Sequence, residues 1–168
     1  MTPISGSVMN LPFLDSSFDC VVASDVLEHL PSNNRRKAIK EIIRVARSKA
    51  IIGVPYGKKS LETDKRLYDC YKTNDLSIPD WLEEHLKYSY PTYNQVVKAL
   101  REEGYPFEVI NNANIKIYFW IVWLEDSNRY WRKIFYVLVG RQRKLAEILV
   151  SFLNFGRPYG KIFIVSKK

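Results

Sequence analysis

The stretch LPFLDSSFDCVVASDVLEHL, residues 11–30, decides the fold class of this chain. A turn-rich approach with Pro12 and Asp15 leads into a continuous apolar run over residues 20–23. Such a run is typical of a parallel strand that is covered on both faces. Polar side chains follow where the strand ends, and open α/β sheets bind their ligands at the carboxyl ends of their strands. The segment therefore predicts a buried strand, residues 19–23, with a ligand site at its end.

One helix and a second strand follow this segment. Residues 34–47 have the period of an amphipathic helix, and residues 50–54 form a second apolar run that stops at Pro55. Strand, helix and strand within about 35 residues predict parallel pairing with a right-handed crossover, so the fold class is α/β. The helix is expected to bury one set of residues and to expose another: Ala38, Ile42 or Ile43, Val45 and Ala46 inward, and Arg35, Arg36, Lys40, Arg44 and Arg47 outward.

The 168 residues are expected to form a single domain with one core. Thr92 is the expected N-cap of a helix over residues 92–103, and Gly104 its C-terminal stop. The domain is expected to have five parts: a sheet core (residues 1–57), a substrate-cover excursion (58–91), a helix–strand pair (92–112), a basic aromatic helical insertion (113–157) and a final strand (158–168). The smaller expected elements are strands at 3–9, 107–110 and 161–165 and helices at 80–86, 128–139 and 141–154.

The charge of the chain is concentrated in its last third. Residues 1–112 hold 15 Lys and Arg against 15 Asp and Glu, whereas residues 113–168 hold 11 against 3 and carry 12 of the 23 aromatic residues. A basic, aromatic segment suggests contact with an anionic partner, either a membrane surface or a nucleic acid. The alternative is a solvated basic face above an aromatic core.

The two cysteines do not form a disulfide framework, and no signal peptide opens the sequence. Cys20 falls in the expected buried strand and is interpreted as an inert core thiol. This use of cysteine favours a reducing, cytoplasmic location, with membrane association as an addition through residues 113–157.

The segment GSVMNLPFLDSSFDCVVASDVLEHL, residues 6–30, closely resembles the central signature of the class I S-adenosylmethionine (SAM)-dependent methyltransferases. The matching features are a Gly-Ser-Val turn at 6–8, Leu-Pro-Phe at 11–13, an Asp/Ser turn at 15–17 and Leu-Glu-His at 27–29. The resemblance is to the branch that modifies small molecules, quinones, sugars and lipids. It implies a Rossmann-like sheet, SAM as cofactor and methyl transfer to an acceptor of those kinds.

The resemblance also implies which residues contact SAM. Ser24, Asp25, Val26 and Leu27 would face its methionine and sulfonium end, and Ser7 and Val8 its adenine. Where Ser7 stands, the family usually has an acidic residue that accepts a hydrogen bond from the adenine amino group. A serine hydroxyl is a weaker acceptor, which implies weaker cofactor binding.

A complete member of the family begins with a strand, a Gly-rich loop and a helix, and no such turn precedes Leu11 here. The expectation is therefore an N-terminally truncated methyltransferase in which residues 19–23 become an exposed edge of the sheet. The alternative function is a truncated, non-catalytic remnant or partner module that does not bind SAM alone. A third alternative is RNA methylation, although no compact RNA-binding motif is present and nucleic acid is not the expected partner.

Asp25, Glu28 and His29 have the spacing D-x-x-E-H, which places them on one side of a helix that begins near Asp25. Two carboxylates and an imidazole could bind a divalent cation, and the spacing is similar to the E-x-x-E-H metal motif of ubiquinone and small-RNA methyltransferases. His85 would be a further ligand by the same resemblance. The interpretation favoured here is that Glu28 and His29 cap the strand–helix junction without metal, that His29 is a catalytic acid/base or a substrate contact, and that His85 is a surface helix residue.

Overall fold

A computed structural model describes residues 3–127, 133 and 156–167 of the chain. Its strands are β1 (Phe18–Ser24), β2 (Ala46–Pro55), β3 (Phe107–Asn114) and β4 (Pro158–Ser166). Its helices are α1 (Ser32–Val45), α2 (Gly57–Thr73), α3 (Asp80–His85), α4 (Tyr93–Glu102) and α5 (Ile115–Ser127), with a 3-10 turn at Leu27–His29.

The strands form a mixed sheet in the order β1-β2-β4-β3. β1 and β2 run parallel, with Val22 opposite Ile51, which confirms the predicted strand–helix–strand unit. β4 lies between β2 and β3 and is antiparallel to both, so that Phe163 is opposite Ile52 on one side and Val109 on the other. The last strand of the chain thereby joins the parallel half of the sheet to β3.

Helices α1 and α4 contribute apolar side chains to one core with β2 and β4. Ile39, Ile42 and Ile43 of α1 are at most 2% exposed, and burial of each such side chain contributes about 1.5–3 kcal/mol. They share a cluster with residues of the other elements: Ala50, Ile52, Val54, Val96, Ala99, Leu100, Phe163 and Val165. The Thr92 side chain accepts from the Gln95 amide and completes a capping box, as expected for the start of α4.

The polar side of α1 differs from the prediction at one residue. Ala38, Ile42, Val45 and Ala46 are buried as expected, but Arg35 is also buried, at 5% exposure. Its Nε and Nη2 donate to carbonyls inside the fold, which offsets part of the cost of burying the charge. Its Nη1 has no hydrogen-bond partner in the described part of the chain. The prediction that Arg35 points to solvent was wrong.

Helix α2 was not expected, because its buried side carries polar residues. The buried positions Ser60, Thr63, Asp64, Leu67 and Tyr71 follow a helical spacing, but only the last two would register as apolar in a periodicity search. Leu67 and Tyr71 pack with Leu82 of α3 and Phe119 of α5 in a second apolar cluster. The excursion expected over residues 58–91 is therefore mainly helical.

The segment before β1 is not a strand. The strand expected at 3–9 is replaced by a single bridge between Ser7 and Asn10. Arg44 of α1 holds the following loop, since its guanidinium donates to the carbonyls of Leu11 and Phe13 and to Asp15 Oδ1. The loop is thus fixed by side-chain contacts to α1 instead of by sheet pairing.

β1 lies at the edge of the described sheet and is largely exposed. Only Ala23 of this strand is buried, whereas Val22 is 66% exposed. Cys20 is also exposed, so the interpretation of its thiol as an inert core group was wrong. The cause is that no described element covers the outer side of β1. The strand predicted at residues 19–23 is present at the edge of the sheet, but the prediction that it is buried was wrong.

Helix α5 begins the insertion predicted for residues 113–157. The helices predicted at 128–139 and 141–154 lie outside the described residues. Within residues 3–127, 133 and 156–167, no helix combines the length and the apolar character needed to cross a bilayer.

Candidate functional site

The candidate site begins where β1 ends. Asp25 has a left-handed backbone, with φ of 54°, which is uncommon for a residue other than glycine. Its amide donates to the carbonyl of Gly53 in β2 at 3.0 Å, and the Ser24 hydroxyl donates to Asp25 Oδ2 at 2.9 Å. Because β1 and β2 are parallel, their carboxyl ends lie side by side, and the exposed Asp25 carboxylate stands at that edge of the sheet.

The side chain of Arg35 stabilises the 3-10 turn Leu27–His29. The Arg35 Nε donates to the carbonyls of Leu27 at 2.9 Å and Leu30 at 3.1 Å, and a terminal nitrogen donates to the carbonyl of Ser89. These bonds satisfy carbonyls of the turn and join it to the loop that follows α3. The helix expected to begin near Asp25 is therefore a short turn, and α1 starts only at Ser32.

Glu28 is the most unusual ionisable group of this turn. Its side chain is fully buried, and neither carboxylate oxygen has a hydrogen-bond partner among the described residues. The oxygen Oε1 lies 3.8 Å from Nε2 of His85. Desolvation by burial, with a further contribution from the charge of Asp25, raises the pKa of Glu28 from 4.5 to about 7.

Asp64 of α2 forms a second buried centre on the other side of His85. Its Oδ2 lies 3.0 Å from His85 Nδ1 and accepts from the Tyr159 hydroxyl at 2.7 Å and from the Tyr90 hydroxyl. Burial and the charge of Asp64 raise the pKa values of both tyrosines, so the hydroxyls stay protonated as donors. Sequence reasoning missed Asp64, since nothing in the pattern of α2 separates it from the exposed charges nearby.

His29 lies beside this centre and is partly exposed. Its Nδ1 is 3.4 Å from Glu84 Oε2, and its ring centroid is 5.0 Å from that of His85. Desolvation and the neighbouring His85 lower the pKa of His29 below its ordinary value of 6.5. The imidazole is therefore mainly neutral at pH 7 and able to accept a proton.

A cavity of about 480 Å³ opens over these groups. Its walls combine polar and aromatic side chains contributed by the turn, α3, α5 and β4: Asp25, His29, Trp81, His85, Tyr118, Val122 and Tyr159. Tyr118 stacks on Tyr159 with a centroid distance of 3.6 Å, which makes one wall of the cavity flat and aromatic. A cavity of this size with a few convergent polar groups is typical of a small-molecule site.

The structure brings together three of the four residues considered for a metal. Ligand atoms of Glu28, His29 and His85 all lie within 4.8 Å of one another, whereas Asp25 is outside this group. His85 is 7% exposed. Its interpretation as a surface helix residue was therefore wrong, because α3 turns that side chain towards α2 and the 3-10 turn.

The residues considered for SAM have separate surroundings. Ser24 and Asp25 are exposed at the end of β1, Val26 packs against the main core, and Leu27 is fully buried within it. Ser7 is exposed and Val8 is partly buried against the same core. Neither Ser7 nor Val8 is among the residues that line the cavity, so their contact with a cofactor stays a prediction.

The comparisons with known proteins agree with this fold. Residues 2–54 match a family model described as a methyltransferase domain. An uncharacterized protein of Methanocaldococcus jannaschii is 32% identical over 89 residues, which are 52% of this chain and 38% of that protein.

Solved structures with a similar fold include SAM-dependent methyltransferases from Thermotoga maritima and Archaeoglobus fulgidus, each with a TM-score of 0.50. They are 15% and 16% identical, each match covers 98% of this chain, and the chain covers 63% and 66% of theirs. The [4+2]-cyclase SpnF has a TM-score of 0.52 at 15% identity, over 96% of this chain and 54% of its own. At such identities the likeness shows the fold alone, and one fold can host several reactions.

Residues 2–54, less than half of the chain, thus resemble a methyltransferase domain. The chain as a whole has the fold found in SAM-dependent methyltransferases. The chain spans about two fifths of the length of the curated relative and less than two thirds of each of these solved structures.

Proposed function

We propose that this chain takes part in SAM-dependent methyl transfer to a small-molecule acceptor bound in the cavity at the end of β1. The observation that carries the proposal is the position of the cavity, since Asp25 and His29 line it directly after β1. Open α/β sheets bind their ligands at this edge. Quinones, sugars and lipids are the acceptor classes that the sequence resemblance implies.

The residues at the end of β1 fit the donor side of the reaction. SAM supplies the methyl group when bound, and its amino group is a hydrogen-bond donor that suits the exposed Asp25 carboxylate. That carboxylate is oriented by the Ser24 hydroxyl and by the bond from the Asp25 amide to Gly53. Methyl transfer depends mainly on the alignment of donor and acceptor, which a rigid edge of this kind supports.

His29 is the proposed proton acceptor for an acceptor molecule that carries a hydroxyl group. It lines the cavity, and its lowered pKa leaves the imidazole neutral at pH 7. A neutral imidazole within hydrogen-bond reach can take the proton that the hydroxyl loses on methylation. Glu84, 3.4 Å from His29 Nδ1, favours the charged imidazolium that results.

Isothermal titration calorimetry with SAM and its demethylated product tests the donor site. Binding at micromolar concentration supports the proposal, and Asp25→Asn should weaken it about tenfold, the loss of roughly one charge-assisted hydrogen bond. Asp19→Asn is the matched control, because Asp19 lies near the start of β1 and bonds Arg47 instead. Absence of binding by the unmodified chain supports the alternative, a non-catalytic partner module.

A divalent cation is the second candidate occupant of the cluster formed by Glu28, His29 and His85. The specific observation in its favour is a buried carboxylate that lies beside two imidazoles and has no hydrogen-bond partner within residues 3–127, 133 and 156–167. Mixed nitrogen and oxygen donors suit Zn²⁺ or Mn²⁺ better than Mg²⁺. Titration with each ion should give binding that Glu28→Gln abolishes, and equal affinity in both proteins excludes this site.

Contact with a membrane surface through residues 113–157 is a further part of the proposal. Trp120 and Leu124 are exposed on α5 while Tyr118 and Val122 of the same helix line the cavity, so a lipid acceptor could enter beside them. Aromatic and basic side chains together favour anionic bilayers. Trp120→Ala should reduce retention on phosphatidylserine vesicles, whereas Val22→Ala, an exposed apolar change on β1, should not.

A further inference from the structure

Asp64 is a buried ionisable residue that has no role in the proposed function. It comes from α2, it is fully buried, and it contacts His85 from the side opposite Glu28. The two carboxylates thus bracket one imidazole, with Asp64 at Nδ1 and Glu28 at Nε2. His85 itself lines the cavity. What Asp64 does to His85 therefore bears directly on the site.

The hydrogen-bond inventory fixes where the proton of His85 lies. Asp64 Oδ2 accepts from the hydroxyls of Tyr90 and Tyr159. An oxygen that already accepts from two hydroxyl donors presents a lone pair to its third neighbour. The other oxygen, Oδ1, has no hydrogen-bond partner among the described residues. The contact of 3.0 Å between Oδ2 and His85 Nδ1 therefore requires that the imidazole donate. In a neutral imidazole, the other nitrogen, Nε2, then carries the lone pair.

The orientation of the ring is fixed as well as its tautomer. Trp81 and Tyr90 meet the His85 ring edge-to-face, at centroid distances of 5.1 and 5.7 Å, and His29 lies at 5.0 Å. Such aromatic contacts restrict rotation of a buried ring. Tyr159 is itself held by stacking on Tyr118. The ring is therefore confined by α2, α3 and β4 together.

We propose that Asp64 is a positioning residue that keeps His85 in the Nδ1–H tautomer, so that the lone pair of Nε2 is presented to Glu28 and the cavity. The use of the Nε2 lone pair rests on the proposed function, in which the lone pair would accept a hydrogen bond or bind a cation. The tautomer itself does not depend on the proposed function. A carboxylate or carbonyl that orients a functional histidine through its other ring nitrogen is a common arrangement in active sites and metal sites.

Nuclear magnetic resonance of the nitrogen-15-labelled chain tests the proposal directly, because His29 and His85 are the two histidines of the sequence. Long-range proton–nitrogen spectra at neutral pH distinguish a protonated from an unprotonated ring nitrogen. We expect a protonated Nδ1 and a bare Nε2 for His85. A proton found on Nε2 of the unmodified chain overturns the proposal.

The variant Asp64→Leu removes the acceptor and keeps a side chain of similar size. Asp64→Asn would not do so, because an Asn carbonyl oxygen in the place of Oδ2 could still accept from His85 Nδ1 and from both tyrosines. Leucine offers no acceptor, so we expect the protonated fraction of His85 Nδ1 to fall. Tyr90→Phe and Tyr159→Phe are the matched controls, since each removes one hydrogen bond to Asp64 and keeps its carboxylate. They should lower the melting temperature and leave the tautomer unchanged. An unchanged tautomer in folded Asp64→Leu overturns the proposal.

The unmodified chain and the tyrosine variants decide the question even where Asp64→Leu fails to fold. None of these spectra requires SAM or an acceptor. A chain that does not bind SAM in calorimetry would therefore contradict the proposed function and leave the tautomer proposal standing. A proton on Nε2 of His85 would contradict the role of Asp64 and leave the proposal of SAM binding standing.

Discussion

The carboxylate of Glu28 lies 3.8 Å from Nε2 of His85, and no residue in the described part of the chain forms a hydrogen bond with either of its oxygens. A buried carboxylate in this state favours the protonated form, which is why the pKa of Glu28 rises to about 7. Its proton, or a ligand that replaces the proton, is thus a part of the folded structure. This relationship links the stability of the fold to the chemistry of the cavity.

Stability of the cation-free chain should fall as pH rises through this range. Between pH 4.5 and about 7 the folded state keeps the Glu28 proton, whereas the unfolded state has lost it. The unfolding free energy therefore decreases over that interval and levels above it. Glu28→Gln has no such proton, so at pH 8 it should be more stable than the unmodified chain by up to about 3 kcal/mol.

Urea denaturation at pH 5 and pH 8, with a chelator present, measures this difference. Glu83→Gln provides the control, because Glu83 is an exposed residue of α3. It should follow the pH dependence of the unmodified chain. Parallel pH curves for Glu28→Gln and the unmodified chain would contradict the prediction.

Arg35→Lys should destabilise the fold by about 2 kcal/mol or more, because a lysine cannot reach the carbonyls of Leu27, Leu30 and Ser89 together. Arg36→Lys is the neighbouring control. Arg36 is 70% exposed and pairs with Glu102 at the surface, where an ion pair contributes about 0–1 kcal/mol. Thermal or chemical unfolding of the two variants compares them, and equal effects would show that the Arg35 contacts add little.

Arg44→Ala should release the loop between the Ser7 bridge and β1. The guanidinium bonds the carbonyls of Leu11 and Phe13 and the side chain of Asp15, and local opening becomes easier when such contacts are lost. Hydrogen exchange of residues 11–16 should become faster in this variant, with exchange in α4 unchanged. Unaltered exchange in the loop would mean that other contacts hold it.

The Cys20 thiol should react before that of Cys70. Cys20 is exposed on the edge strand β1, whereas Cys70 is partly buried in α2, and access is one of the factors that control thiol reactivity. Limited treatment with iodoacetamide followed by peptide mass spectrometry should find the first label on Cys20. Preferential labelling of Cys70 would indicate that the β1 edge is covered in solution. In the variant Cys20→Ser, labelling measures the slower reaction of Cys70 alone.

The elements that the sequence predicted well are those whose pattern is local. β1, β2, α1 and α4 were located to within a few residues, because apolar runs and helical periodicity follow from which side each element buries. The N-cap at Thr92 was likewise predicted, and the structure adds its capping-box partner Gln95 three residues later. Residues 11–30 also carried the family resemblance, and they lie within the segment, residues 2–54, that matches a methyltransferase-domain model.

Other features depend on residues that are far apart in the chain. Helix α2 escaped prediction because its buried side carries polar residues, among them Ser60 and Asp64, which have hydrogen-bond partners in α3 and β4. Arg35 looked like a solvent-facing residue for the same reason. Polar side chains enter a core when distant groups satisfy them, and spacing along one helix does not reveal those groups.

The sequence by itself determined the α/β class, the parallel strand pair and the candidate ligands Asp25, Glu28 and His29 at the end of β1. Only the tertiary structure decided that Asp64 and Glu28 approach His85 from opposite sides, and that Cys20 is exposed. The physical reason is that burial and pairing are properties of the folded chain. A charge at one position becomes a solvated surface group or part of a buried network according to what is packed against it.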